Sequence, residues 1–219
     1  MKTTLFTLFI FTASLLFAQK QDEGNITIEV EIAPLGAEPL SINSIRGRYF
    51  NNDNTALRLA FFLGGSSTPT TTEIGDITLT SSSSNFDLTL RPGYEYHLDG
   101  TDKLSPYIGG EAYLGWSSTG TSSESPFNTN EIMTTITKQN STTLGLNLLS
   151  GADFYFTDKM YIGLELGFGF LFEGPGVSKT KYKNPSDPSL EDTTTKGSSS
   201  SLNWGPNYQG TLRLGYCIK

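Results

Sequence analysis

The sequence predicts an all-β fold, namely an eight-stranded antiparallel up-and-down transmembrane β-barrel. Three observations predict it: segments of alternating apolar and polar residues recur, the connections between them alternate in length, and charges occupy one face of each segment. Because successive side chains of a strand point to opposite faces, a period of two is typical of strands whose faces differ. No segment after the N-terminal region approaches the ~20 apolar residues of a membrane helix. A membrane-spanning form of this chain therefore has to be a closed barrel, which leaves no strand edge unsatisfied in lipid.

The N-terminal residues predict export. Lys2 gives a positive start, and residues 5–17 are almost wholly apolar. A run of this length is too short to span a bilayer as a helix and is typical of a signal peptide. An N-terminal membrane anchor remains an alternative, because Leu16 lies where a small residue is preferred. We expect residues 1–18 to be the signal peptide and residues 19–219 to be the barrel.

Eight segments show the period-two pattern. They cover, approximately, residues 25–35, 40–50, 56–64, 85–98, 106–116, 142–156, 160–172 and 202–218. The third segment, for example, carries Leu57, Leu59, Phe61 and Leu63 on one face. Most segments reach the ~9–11 residues that a tilted strand needs to cross the hydrocarbon.

The connections alternate in length along the chain. Short turns follow the second, fourth and sixth segments, whereas long connections near 65–84, 117–141 and 173–201 follow the third, fifth and seventh. Short periplasmic turns at one rim and longer extracellular loops at the other are typical of outer-membrane barrels. Because the long connections are rich in Ser, Thr, Gly and Pro, we expect them to be mobile, solvated loops.

The placement of charge predicts a filled interior. All five arginines fall inside predicted strands, opposite the apolar row, and acidic residues share their face. An Arg or Lys on the lipid face near the bilayer midplane costs ~2–4 kcal/mol, whereas arginine in a lumen can pair with carboxylates. Eight strands leave an interior just wide enough for side chains. The predicted lumen ion network is Glu29, Glu31, Arg46, Arg48, Arg58, Arg91, Glu95, Glu111, Asp153, Glu165 and Arg213.

Lysines and aromatic residues follow a related pattern. Seven lysines are expected in turns or loops, namely Lys103, Lys138, Lys159, Lys179, Lys181, Lys183 and Lys196. Aromatic residues cluster toward both ends of the apolar face, which indicates two interfacial girdles. A soluble β-sandwich or ligand-binding barrel would also alternate, but its polar face would accept Lys as readily as Arg.

Three sequence motifs carry a family resemblance. They are IRGRYF at 45–50, RPGYEY at 91–96 and FTDKMYIG at 156–163. Together they resemble the outer membrane protein β-barrel domain family, the OmpA/OmpX-like small outer-membrane barrels. The resemblance covers nearly the whole exported chain and implies an outer-membrane location, with outer-membrane lipid as a partner. The chain departs from the family at its end, where Tyr216 is followed by three further residues instead of being terminal.

Few residues suggest chemistry. The chain has one histidine, His97, beside Asp99 and with Asp102 and Ser105 in the same turn region. It has one cysteine, Cys217, so it can form neither an intrachain disulfide nor a Cys-based metal cluster. We found no glycine-rich phosphate loop, nucleophile elbow or metal-ligand spacing, and we expect no catalytic, cofactor-binding or metal-binding residues. A net charge of −7 argues against nucleic acid as a partner.

Three functional classes remain. The leading hypothesis is a structural or surface-interaction barrel that binds an unidentified surface ligand through its extracellular loops. The alternative is a narrow transporter or channel for small molecules. The third is a lipid-modifying barrel enzyme, in which His97 would act near a rim of the barrel.

Overall fold

The structure, a computed structural model, describes residues 21–32, 42–75, 77–128, 131–174, 176–183, 193–197 and 199–218. The predicted signal peptide at 1–18 lies outside these residues. All regular structure within them is β. The strands are β1 (Ile26–Ile32), β2 (Ile42–Asn52), β3 (Thr55–Ile74), β4 (Ile77–His97), β5 (Leu104–Asn128), β6 (Glu131–Tyr155), β7 (Met160–Glu173), β8 (Val177–Lys183), β9 (Thr193–Lys196) and β10 (Ser201–Cys217). No helix within the described ranges is long and apolar enough to cross a membrane.

Eight of these strands form a closed antiparallel ring. From β1 to β7 each strand pairs with the next, β7 pairs with β10, and β10 pairs with β1. Closure removes free edges from the ring and defines a β-barrel. The prediction of an all-β, eight-stranded antiparallel ring is confirmed, and its membrane-spanning character remains a prediction.

The prediction of long loops at 65–84 and 117–141 is wrong. β3 and β4 stay paired as far as Ile74 opposite Ile77, and the β5–β6 pair continues to Asn128 opposite Glu131. Threonine is β-branched and favours strands, so the antiparallel ladder continues beyond the apolar part of the ring. These ribbons have polar residues on both faces, so the apolar alternation that indicates a strand is missing from their sequence.

The predicted third long loop, at 173–201, is also partly strand. β8 pairs with residues 134–140 of β6, and β9 pairs with β8. We use "the extension" for residues 65–74, 77–84, 117–128, 131–141, 177–183 and 193–196, which continue beyond the ring. The extension also corrects the placement of five lysines expected in turns or loops, because they lie in β6, β8 and β9: Lys138, Lys179, Lys181, Lys183 and Lys196.

The ring is inverted relative to a water-soluble protein. Its outward positions are apolar and exposed, as at Leu146 (67%) and Leu148 (71%), whereas its inward positions include Arg46 and Arg213 at 0% exposure. Aromatic side chains are exposed on the outside toward the short turns at Tyr49 and Tyr96. Others are exposed toward the extension, namely Phe86, Trp116, Phe170, Phe172 and Trp204.

Candidate functional site: the interior ion network

Charged side chains fill the interior of the ring. Every residue of the predicted ion network lies on a ring strand, and all are buried except Arg91, whose side chain is 15% exposed. The local sequence explains this placement. In Ile45-Arg46-Gly47-Arg48-Tyr49 the two arginines share one phase of the strand, while the exposed Ile45 and Tyr49 share the other.

Arg46 and Arg48, adjacent on the inner face of β2, anchor the network. Arg46 bonds Glu31, and its two Nη atoms lie 3.2 Å from Glu29 Oε2 and 3.1 Å from Glu165 Oε1. Glu165 belongs to β7, which is not a neighbour of β2, so this pair spans the interior. Arg48 lies 2.7 Å from Glu29 Oε1, and its Nη1 lies 3.0 Å from Glu95 Oε2.

The other arginines connect the remaining carboxylates. Arg58 Nη1 lies 2.9 Å from Glu95 Oε1 and 2.8 Å from Glu165 Oε2, and Arg58 Nη2 lies 3.1 Å from Glu111 Oε2. Arg91 Nη2 lies 2.6 Å from Glu31 Oε2, and its Nη1 lies 3.4 Å from Glu111 Oε1.

Arg213 and Asp153 complete the network. Arg213 Nη2 lies 2.7 Å from Asp153 Oδ1, and Asp153 Oδ2 lies 2.8 Å from Arg48 Nη1. Arg213 also lies 3.3 Å from Glu29 Oε2. The structure therefore brings all the predicted residues into one continuous network. Its five arginines face six carboxylates, so each buried charge has an opposite charge beside it, as burial requires.

Aromatic rings fill the space around these charges, and sequence reasoning missed them. Tyr161 OH donates a 2.6 Å hydrogen bond to Glu29 Oε1, and Tyr107 OH donates to Glu165. The Arg48 guanidinium lies 5.1 Å from the centre of the Tyr161 ring, and that of Arg213 lies 5.2 Å from the centre of the Tyr107 ring. These contacts are within cation–π range.

A signal in the sequence could have found these tyrosines. Tyr161 shares the strand phase of Glu165, and Tyr107 shares that of Glu111, so alternation alone places them inside. Glycines make room for two of the rings. A methyl group at Gly215 would overlap the Tyr161 ring, and one at Gly151 would overlap Tyr107. The interior is therefore closely packed at these levels.

His97 closes the network at the rim of the short turns. Its Nδ1 lies 2.8 Å from Ser105 Oγ, its Nε2 lies 3.3 Å from Glu95 Oε2, and its ring lies between those of Phe50 and Tyr107. A hydroxyl, an imidazole and a carboxylate in contact are the groups of a hydrolase triad. Here Ser105 is 3% exposed and Glu95 is held by two arginines, so the arrangement fits structural closure of the rim. That the protein is not an enzyme stays a prediction.

The carboxylates of the interior are committed to arginines. Among the described residues, no group of three or more His, Cys, Asp or Glu side chains is arranged to hold a metal ion. The expectation of no metal or cofactor was made from the sequence and stays a prediction.

Comparisons with known proteins complete this description. No family model matches the chain, and no curated protein matches it in sequence. Among solved structures, the crystal structure of Acinetobacter baumannii CarO aligns with 90% of this chain and 99% of that chain, at 13% identity and a TM-score of 0.38. A likeness at this TM-score carries no argument. The fold assignment therefore rests on the closed ring itself, and the OmpA/OmpX-like resemblance remains a prediction.

Proposed function

We propose that the protein is a small outer-membrane β-barrel with a sealed interior and a structural or surface-interaction role carried by its extension. One observation supports this above all others, namely the inverted distribution of side chains. Large apolar residues are exposed around the outside of the ring, while arginine and carboxylate side chains are buried inside it.

The energetics of this distribution favour lipid over water. Removing apolar surface from water is worth roughly 25 cal/mol per Å², and soluble monomers rarely expose contiguous apolar patches above a few hundred Å². Here the exposed set runs around the ring, for example Ile45 on β2, Leu114 on β5, Leu166 on β7 and Leu214 on β10. In a bilayer the same surface meets hydrocarbon, and the aromatic residues at its two ends suit the interfaces.

The filled interior supports a role outside the ring. Arginines, carboxylates and tyrosines occupy the centre, and pairs such as Arg46–Glu165 cross it. Such packing argues against a general diffusion pore. Among the described residues, the extension is then the largest solvent-facing part, and polar segments presented by a rigid scaffold are a common place for binding.

A fractionation experiment tests the membrane part of this proposal. Expressed in a bacterium with two membranes, the protein should remain with the outer membrane and require detergent for extraction. The unboiled protein should migrate on a gel differently from the boiled protein, because a closed ring resists detergent unfolding. A protein that stays soluble without detergent, with no such mobility difference, would contradict the proposal.

A shortened variant tests the role of the extension. Residues 119–139, which form the β5–β6 ribbon beyond the ring, would be replaced by Asn-Gly, a favoured two-residue hairpin turn. We expect unchanged membrane residence and gel mobility shift, but loss of whatever surface interaction the wild-type protein confers on cells. A second variant replaces residues 69–82 of the β3–β4 ribbon in the same way and shows which of the two ribbons carries the interaction. Loss of the mobility shift in the first variant alone would show that the ribbon is part of the folded ring.

A further inference from the structure

Five of the lysines lie on one face of the extension. On β8, Lys179, Lys181 and Lys183 share one strand phase. Lys138 of β6 pairs with Lys179, and Lys196 of β9 pairs with Val177, so both share this face. We call these five residues the lysine face.

The lysine face points outward. On β6, Lys138 has the same phase as Leu144, Leu146 and Leu148, which are exposed on the outside of the ring, and β6 is continuous between them. The exposed apolar residues around the outside of the ring form an apolar belt. The lysine face thus lies on the same side of the sheet as this belt, farther along the strand. All five lysine side chains are exposed.

Like charges face each other on this side of the extension. Lys138 and Lys179 are directly opposite each other on antiparallel strands, an arrangement that destabilises a sheet when the charges are alike. Among the described residues of the extension on β5, β6, β8 and β9, the acidic residue on this face is Glu124 of β5, which lies opposite Thr134, the register partner of Lys183. Lys181 makes an interaction of its own, and Lys183 lies near Glu124 and farthest from the ring, so the inference rests on Lys138, Lys179 and Lys196.

The height of these lysines above the apolar belt indicates which part of the lipid layer they contact. Lys138 lies six residues beyond Leu144 on β6. At ~3.4 Å per residue and a tilt of ~40°, this is roughly 15 Å above the last outward leucine. Lys196 pairs with Val177, and Val177 pairs with Asn140, so Lys196 lies at the level of Asn140. This level is roughly 10 Å above the same leucine. Polar headgroups begin within this distance of the hydrocarbon, and long lysine side chains can extend toward them.

We infer that Lys138, Lys179 and Lys196 of the lysine face bind the phosphate groups of glycolipids in the outer leaflet around the barrel. This rests on the proposed outer-membrane function. Anionic phosphates between Lys138 and Lys179 would convert their mutual repulsion into attraction to a shared counterion. The described part of this acidic chain has no second row of lysines that could bind phosphate. Of its seven lysines, Lys103 and Lys159 lie elsewhere, in the short turns of the opposite rim.

The test compares two charge-matched variants. K138Q/K179Q removes two charges from the lysine face, and K103Q/K159Q removes two from the opposite rim. Each protein is reconstituted in neutral phosphatidylcholine vesicles containing equal amounts of a phosphorylated glycolipid and its dephosphorylated form. After mild solubilisation, the ratio of the two glycolipids that copurify with the protein is measured.

We expect the wild-type protein and K103Q/K159Q to retain the phosphorylated glycolipid preferentially. A lysine near an anionic surface is worth about fivefold in binding, so removing two should lower the ratio roughly 25-fold in K138Q/K179Q. Equal retention of both glycolipids by the wild-type protein would overturn the inference. An equal fall in the ratio of phosphorylated to dephosphorylated glycolipid in both variants would also overturn it. Saturable binding of inorganic phosphate alone to the detergent-solubilised protein, as tight as glycolipid binding, would also overturn it.

Insertion into vesicles of phosphatidylcholine alone separates this inference from the function it rests on. If the wild-type protein fails to insert there, as judged by its gel mobility, the outer-membrane proposal fails. If it inserts but does not select phosphate, only the lysine-face inference fails. Insertion of both variants to the wild-type extent shows that a changed lipid ratio comes from binding and not from misfolding.

Discussion

Arg213 and Asp153 form an ion pair directly over Gly163. Both residues are register partners of Gly163, one on each neighbouring strand, and Arg213 Nη2 lies 2.7 Å from Asp153 Oδ1. A methyl group at Gly163 would lie 2.5 Å from each of these two atoms. The pair can therefore close only because the residue between its members has no side chain.

Gly163→Ala should destabilise the folded ring. The added methyl group forces the buried ion pair apart, and overpacking of this kind costs about 1–3 kcal/mol. The measurement is urea unfolding in lipid vesicles, followed by the gel mobility shift. Gly47→Ala is the matched control, because the nearest atom to a methyl group there is Thr27 O at 4.0 Å. Equal unfolding midpoints for the two variants would contradict the packed interior.

Arg48→Ala should be more destabilising than Arg91→Ala. Arg48 is fully buried and pairs with Glu29, Glu95 and Asp153, so its removal leaves buried carboxylates without their cation. Loss of one partner from a buried network costs about 3–5 kcal/mol. The Arg91 side chain is 15% exposed, so water can partly replace it and the cost should be clearly smaller. Comparable free energies of unfolding for the two variants would count against the buried network.

The sequence allowed the phase of the ring strands to be predicted. A strand has only two faces, so the outward apolar row that includes Ile45 leaves Arg46 and Arg48 on the inner face. It did not allow their partners to be predicted. Arg46 meets Glu165 across the ring, and that contact depends on strand tilt and stagger, which alternation does not encode.

The extension could not be predicted from alternation. Ser81–Ser84 look like a loop because no apolar face marks them, yet they pair with residues 67–70 and with residues 120–123 in a regular ladder. Backbone hydrogen bonds and the strand preference of threonine hold such a ribbon, and neither produces an apolar period. Tyr107 and Tyr161 were missed for a different reason, because aromatic residues were expected on the outer face.

Leu148→Arg should impair insertion far more than Asn140→Arg. Both positions lie on the outer face of β6, but Leu148 is within the apolar belt and Asn140 is in the extension. An arginine near the bilayer midplane costs about 2–4 kcal/mol, and this cost falls to about 0–1 kcal/mol near the interfaces. The fraction of protein inserted into vesicles is the measurement. In a water-soluble protein the 71%-exposed Leu148 would accept arginine without loss, so equal behaviour of the two variants would contradict membrane residence.

The purified protein should not form a general pore. In planar bilayers we expect no large, steady ion-conducting events, because side chains such as Arg58 and Tyr107 fill the interior. Steady conductance from a homogeneous sample would refute the sealed interior. It would then favour the alternative hypothesis of a narrow transporter or channel.

Depth-dependent quenching of tryptophan fluorescence tests the central claim, an inverted barrel embedded in lipid, most directly. The chain has two tryptophans, Trp116 and Trp204, both exposed on the outside of the ring toward the extension. The single-tryptophan variants W204F and W116F would be measured in vesicles of phospholipids brominated at successive positions along the acyl chain. The account predicts that each tryptophan is quenched, most strongly by bromines close to the headgroup, as expected for an interfacial girdle. Absence of quenching by every brominated lipid, or strongest quenching of both tryptophans at the bilayer centre, would contradict it.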